Sequence, residues 1–137
     1  MSKRTDILDQ LKVTLQSVTG MSEVLVNRTT PVDIETVGFP CAFVYSGNEI
    51  RLTDNRSVIG YENWEWQILI EVWGKDQDME AFLALIHAAL FADEGIGGHA
   101  VTSYRTGVDM LVIDPEQSLE AMLIQYAVIY RHTRGVM

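Results

Sequence analysis

The run Trp64-Glu65-Trp66-Gln67-Ile68-Leu69-Ile70-Glu71-Val72 decides the fold, because its side chains alternate in polarity. A period of two is the pattern of a β-strand with one buried and one wetted face, which is typical of an antiparallel sheet. The two predicted faces are Trp64, Trp66, Ile68, Ile70 and Val72 on the apolar side, and Asn63, Glu65, Gln67 and Glu71 on the polar side.

Two other segments repeat apolar residues with the period of an α-helix. The first covers residues 5–18, with Thr5 as the expected N-cap and Gly20 as the expected stop. The second covers residues 75–93, where acidic residues at the start suit the positive end of a helix. The predicted buried positions are Ile7, Leu8, Leu11, Leu15 and Val18 in the first helix, and Met79, Phe82, Leu83, Ile86, Ala89 and Leu90 in the second.

Four further β-rich runs complete the predicted elements, at residues 23–27, 40–45, 102–113 and 119–133. The last two are separated by the turn signal Asp114-Pro115-Glu116-Gln117. The order α-β-β-β-α-β-β predicts an α+β fold, with residues 1–137 as a single domain. In it, two α-helices pack on a twisted, mainly antiparallel β-sheet.

Two connections have no regular period. The composition of residues 28–39 predicts an irregular connection between the first two strands. Residues 46–60 are polar and rich in turn-forming residues. This second segment fits either two hairpin arms or a mobile loop, and the sequence favours neither.

Composition excludes several classes of function. The chain has 137 residues and a net charge of −9, and its ten Lys and Arg residues are scattered, which argues against gripping nucleic acid by its phosphates. A single cysteine, Cys41, cannot form an internal disulfide and favours a reducing compartment. The longest apolar run, residues 81–92, is interrupted by His87 and too short to span a bilayer, so we expect a cytoplasmic protein without membrane contact.

Residues able to support catalysis are present but poorly arranged for it. The three histidines, His87, His99 and His132, lack the spacing of a metal site. Cys41 lies at a strand start without an activating group and is best explained as a small buried hydrophobe. The glycines at 95–98 follow a helix C-terminus, whereas phosphate cradles precede a helix N-terminus. We therefore expect no catalytic residue, no metal and no cofactor.

Several motifs occur in an order typical of one structural family. They are the strand and turn at residues 39–49, the run 64–72 followed by Gly74-Lys75-Asp76, the helix end at residues 88–93 before Gly97-Gly98, and the terminal strand 126–131. Over nearly its whole length the chain resembles the tail-terminator proteins of long-tailed bacteriophages, the family of the lambda-type minor tail protein U.

That resemblance implies a structural protein that caps the tail tube as a ring, commonly of six subunits. The ring stops tail polymerisation and provides the surface for head joining. The implied partners are further copies of the chain, the major tail tube protein and a head-completion or neck protein, while DNA passes through without being specifically bound. The implied location is the bacterial host cytoplasm during assembly and then the head-proximal end of the virion tail.

The expected interface residues lie in the polar segment and beside the alternating strand. Trp73 is predicted to share the polar face with Glu71, where a tryptophan can anchor a protein contact. The candidate interface set is Asn48, Glu49, Arg51, Asp54, Arg56 and Trp73. The alternative hypothesis is a small soluble α+β enzyme or ligand-binding domain with a pocket between helix and sheet.

Overall fold

Two α-helices lie on one side of a five-stranded sheet in the computed structural model, which describes residues 3–27, 38–52 and 61–133. The elements, in chain order, are α1 (Lys3–Gln16), β1 (Glu23–Val26), β2 (Cys41–Leu52), β3 (Tyr61–Lys75), α2 (Met79–Phe91), β4 (Thr102–Asp114), a short 3-10 helix (Pro115–Gln117) and β5 (Leu119–Thr133). The predicted α+β fold and the order α-β-β-β-α-β-β are confirmed.

The strands are arranged in the order β1-β2-β3-β5-β4. β1 runs parallel to β2, and each of the other neighbouring pairs is antiparallel. β3 and β5 form the centre and pair over the full length of both strands, from Tyr61 opposite Thr133 to Lys75 opposite Leu119. β4 forms one edge of the sheet, and β1 with the outer half of β2 forms the other.

The core lies between the helices and one face of the sheet, as the alternation predicts. Trp66 is 1% exposed, and Ile68, Ile70 and Val72 are buried beside it. The helices contribute the predicted stripes, with Leu83 and Ala89 only partly buried. Other members of this core are Ile7, Leu8, Leu11, Leu15, Val18, Met79, Phe82, Ile86, Leu90, Met122, Ile124, Tyr126, Val128 and Tyr130.

The helix boundaries differ from the predicted ones. α1 begins at Lys3, so Thr5 lies inside the helix and is not its N-cap, and α1 ends at Gln16, before Gly20. α2 begins at Met79 because the side chain of Asp78 accepts the N–H of Ala81 at 3.1 Å. The acidic residues before it therefore supply the cap, and residues 75–78 are not a first helical turn. α2 ends at Phe91, two residues before the predicted limit.

The strand boundaries differ most in the polar segment. Residues 46–52 are a continuation of β2, past an irregularity in pairing between Ser46 and Glu49. The hairpin alternative for the start of this segment is thus correct, while residues 53–60 lie outside the described residues. Most of the connection predicted at 28–39, namely residues 28–37, also lies outside them.

A charged contact fastens the start of α1 to the sheet. Arg4 forms an ion pair with Glu49 of β2, and its Nε donates to the hydroxyl of Tyr130 at 3.4 Å. The guanidinium also lies 5.7 Å from the ring centroid of Trp66, within range of a cation–π contact. Burial raises the pKa of Tyr130 to about 12, so its hydroxyl stays protonated as a neutral member of the group. The helix is therefore positioned by a polar contact as well as by apolar packing.

Truncation of the central tryptophan tests the assignment of the buried face. We expect Trp66→Ala to lower the free energy of unfolding by about 3–5 kcal/mol, because it leaves a cavity under both helices. Trp73→Ala is the matched control, since Trp73 is half-buried on the opposite face. Chemical denaturation of both variants measures the difference, and equal losses would contradict the assignment.

The Arg4–Glu49 contact is tested by a double-mutant cycle. The Glu49 side chain is only 9% exposed, so Arg4→Met leaves a nearly buried carboxylate without its cation. We expect Arg4→Met alone to cost about 1–2 kcal/mol, reduced from the value for a fully buried pair because Arg4 is partly exposed. Adding Glu49→Gln should restore part of this stability, and strictly additive effects in denaturation would contradict the coupling.

Candidate interaction surface

The predicted interface residues do not form one cluster in the described structure. Asn48 is exposed, while Glu49 turns towards the helices and pairs with Arg4. Trp73 lies opposite Cys41, whereas Glu49 lies opposite Trp66, so the two occupy distant parts of the β2–β3 ladder. Arg51 is in β2, but its side chain, like Asp54 and Arg56, lies outside the described residues.

The face of the sheet away from the helices carries ordered polar side chains. We call it the open face, and its central residues are Glu65, Gln67, Leu69, Glu71 and Trp73 of β3. Trp73 donates its indole N–H to the carboxylate of Glu71 at 2.5 Å. The predicted placement of Trp73 on the polar face beside Glu71 is thus confirmed.

The carboxylate of Glu65 accepts hydrogen bonds from two side chains. The hydroxyl of Tyr104 in β4 donates to its Oε1 at 2.8 Å, and Gln67 donates to its Oε2 at 3.2 Å. This hydrogen bond raises the pKa of the Tyr104 phenol. Two carboxylates, Glu65 and Glu71, are therefore held in place on the open face, which also carries Arg131, whose Nε donates to Asn63 at 3.0 Å.

The outer strand β4 exposes four consecutive apolar side chains. Exposed fractions are 42% for Met110, 41% for Leu111, 67% for Val112 and 44% for Ile113. We call these four residues the apolar edge. β4 is the last strand of the sheet, so its backbone there pairs with β5 on one side. The pairing of β4 with β5 is regular from Gly107 to Val112. It is irregular on either side of this stretch, between Arg105 and Gly107 and between Val112 and Asp114.

The opposite edge of the sheet is protected at β1. The strand is only four residues long, and the side chain of Gln16 in α1 accepts the N–H of Val24 at 3.1 Å. Successive residues of a strand direct their N–H groups to opposite sides. Asn27 donates its N–H to the carbonyl of Val44 in β2, so the N–H of Val24, three residues earlier, points away from β2. Gln16 therefore occupies a group to which another strand would otherwise pair.

Beyond β1, the outer half of β2 extends as a second edge. Asn27 has a positive φ of 48° and ends β1, and its side-chain oxygen accepts the N–H of Ser46 at 3.1 Å. From Gly47 onwards, no strand among the described residues pairs with β2 on that side. We call residues 46–50 the β2 outer edge.

The apolar edge was missed by the sequence interpretation. Its signal was present, because Met110-Leu111-Val112-Ile113 breaks the alternation expected of a half-wetted strand. A continuous apolar run is also what a strand buried on both faces contains, so sequence alone cannot separate a buried strand from a partner-binding edge.

Sites for chemistry receive little support from the described residues. They contain no group of three or more histidines, cysteines and acids that could hold a metal ion. Cys41 is fully buried, as predicted for a small hydrophobe. A groove of about 410 Å³ opens on the outer side of α1, not between helix and sheet, and is lined by Lys12, Val13, Gln16 and Ser17. None of the described helices is long and apolar enough to cross a membrane.

Comparison with known proteins leaves the family open. No protein-family model matches the chain, and no curated protein matches its sequence. It is similar in structure to a chain in the virion of a native gene transfer agent particle, with a TM-score of 0.45 and 14% identity over 92% of each chain. A likeness of this degree identifies neither a family nor a function.

Proposed function

We propose that the protein is a structural subunit of a phage-like virion that assembles into a closed ring, commonly of six copies. The ring caps the tail tube, stops tail polymerisation and offers the surface for head joining. The observation that carries this proposal is the apolar edge of β4, since four exposed apolar residues on the last strand of the described sheet offer a site where another chain can pair. The sequence resemblance to tail terminators indicates which kind of assembly this contact serves.

The electrostatics of the chain suit this role. A net charge of −9, with Glu65 and Glu71 held in place on the open face, allows DNA to pass the ring without being retained. The proposed protein partners are other copies of the chain, the major tail tube protein and a head-completion or neck protein. The subunit acts through surfaces, so the proposal includes no catalytic residue and no cofactor.

The groove on α1 does not support the enzyme alternative, because its lining residues do not form a catalytic arrangement. Ser17 is its hydroxyl-bearing residue, and that hydroxyl already donates to the carbonyl of Thr14 at 2.6 Å. Lys12 lies there without an acid or a histidine among the lining residues. A nucleophile needs a base within hydrogen-bond reach, and this lining supplies none.

Self-association is the first test of the proposed function. We expect the purified protein to change from monomer to a closed ring as its concentration increases. Added salt should favour the ring, because it screens repulsion between acidic subunits. Sedimentation equilibrium and native mass spectrometry give the subunit number, with the hexamer as the expected product.

Two outcomes would contradict the ring. One is a monomer at every concentration and salt level, both in solution and on isolated tails. The other is a two-fold dimer that grows no further, because such a dimer uses one patch twice and leaves no head-to-tail contact to close a ring.

A further inference from the structure

We infer that neighbouring subunits join by their sheet edges, with the apolar edge of β4 in one subunit paired to the β2 outer edge of a second copy. The sheets of adjacent subunits would then be continuous around the ring. This inference rests on the proposed function, since it assigns the contact that closes the proposed ring.

The two edge strands of this sheet, β1 and β4, differ in how well they are protected from pairing with another strand. β1 is short, and Gln16 occupies the outward N–H of Val24, which is how soluble proteins protect an edge. β4 has thirteen residues, and its charged residues, Arg105, Asp109 and Asp114, lie outside the apolar edge. Residues 110–113 are all apolar and exposed. The irregular pairings protect the two ends of β4, but between them Met110, Leu111 and Val112 pair regularly with β5, and such an apolar stretch promotes aggregation unless a partner strand covers it.

The sparse charge at both edges allows a second copy of the chain to be that partner. Two subunits of net charge −9 repel each other, so they can approach only where charge is sparse. The apolar edge carries no charge, and in the β2 outer edge the one charged residue is Glu49. Its carboxylate turns inward and is paired with Arg4. The N–H of Ser46 is already bonded to the side chain of Asn27, so Gly47, Asn48 and Ile50 are the uncharged residues that remain for pairing.

Apolar surface is also available on both sides of the contact. Ile50 is 56% exposed in the β2 outer edge, and Val112 is the most exposed residue of the apolar edge. Cross-strand pairs of apolar side chains stabilise a sheet. Pairing of the two edges would therefore bury side chains that the free subunit leaves in water.

Strand direction favours a head-to-tail contact. β2, β3, β5 and β4 are successively antiparallel, so β4 runs opposite to β2 within one subunit. In a ring, the neighbouring subunit is related to the first by a rotation. If the rotation axis lies roughly along the strands, each strand of the neighbour runs in the same direction as its equivalent in the first subunit. Its β2 then lies antiparallel to the first subunit's β4, which forms the more stable type of ladder.

The two edges lie at different heights along the strands. Met110 is level with Val72 of β3, through Met122, whereas Ser46 is level with Ile68. A rotation about the ring axis does not change height along that axis. It therefore brings the two edges together only if the strands are inclined to the axis. Closed sheets have such an inclination, typically about 35–45°, so the offset is of the kind that ring closure requires.

Cysteine cross-linking tests this contact directly. We would prepare Met110→Cys and Asn48→Cys as separate variants, keeping Cys41 because it is fully buried. Under assembly conditions, a short thiol-specific cross-linker should join the mixed variants into a dimer, and neither variant alone should react with itself. Leu85→Cys mixed with Asn48→Cys is the control, since Leu85 is an equally exposed apolar residue on α2.

A charge placed on the edge gives a second, independent readout. Val112→Lys should weaken assembly by about tenfold or more, because a lysine on an edge strand opposes pairing with another strand. Leu85→Lys is the matched control and should assemble like the unmodified protein. Thermal melting of both should be unchanged, since both side chains are exposed in the subunit.

The outcomes separate this inference from the proposed function. Rings that form without the mixed cross-link, or that tolerate Val112→Lys, would overturn the edge contact while the ring stands. Self-reaction of Met110→Cys would overturn it in favour of a two-fold β4–β4 contact. An unmodified protein that never assembles would overturn the ring and the edge contact together.

Discussion

Burial of one face of the sheet beneath both helices is the constraint on which the rest of the structure depends. Trp66, Ile68, Ile70 and Val72 direct their side chains towards α1 and α2, and β5 adds an equivalent row beside them. Both helices lie on this side of the sheet, while on the other side Phe43 and Ala127, beside Glu71 and Gln67, are fully buried as well. The exposed apolar residues are therefore concentrated in β4, the last strand of the sheet.

The Arg4–Glu49 contact connects stability with surface chemistry. A carboxylate in the outer half of β2 would normally add a negative charge to the surface of an already acidic chain. Here its ion pair with Arg4 holds the start of α1 against the sheet, beside Tyr130 and Trp66. One interaction thus positions a helix and also removes a charge from a strand edge.

Much of the fold could be predicted from the sequence, because its strongest signals are periodic. The alternation at residues 64–72 and the helical stripes of α1 and α2 identify the buried faces correctly. The boundaries were less accurate because they depend on single contacts, such as the Asp78 side chain capping α2. The continuation of β2 to Leu52 was left open, since its polar residues resemble a loop and only pairing with β3 makes them a strand.

The candidate site was harder to predict. Trp73 lies on the expected face, but Glu49 turns inward because Arg4, far away in the sequence, lies beside it. The run Met110–Ile113 was read as an ordinary strand, because exposure of an edge is decided by sheet order and not by the run itself. Local pattern therefore identifies the layers of the fold, while the exposure of the β4 edge depends on the order of the strands.

Tail length is the decisive measurement for the capping role. The gene would be deleted from a long-tailed phage that encodes this protein, the phage would be grown in host cells with and without a plasmid that supplies the protein, and released tails would be measured by electron microscopy. The proposed capping role predicts tails of uniform length with the protein, and overlong tails without heads in its absence. Tails of normal, uniform length that join heads without the protein would contradict that role.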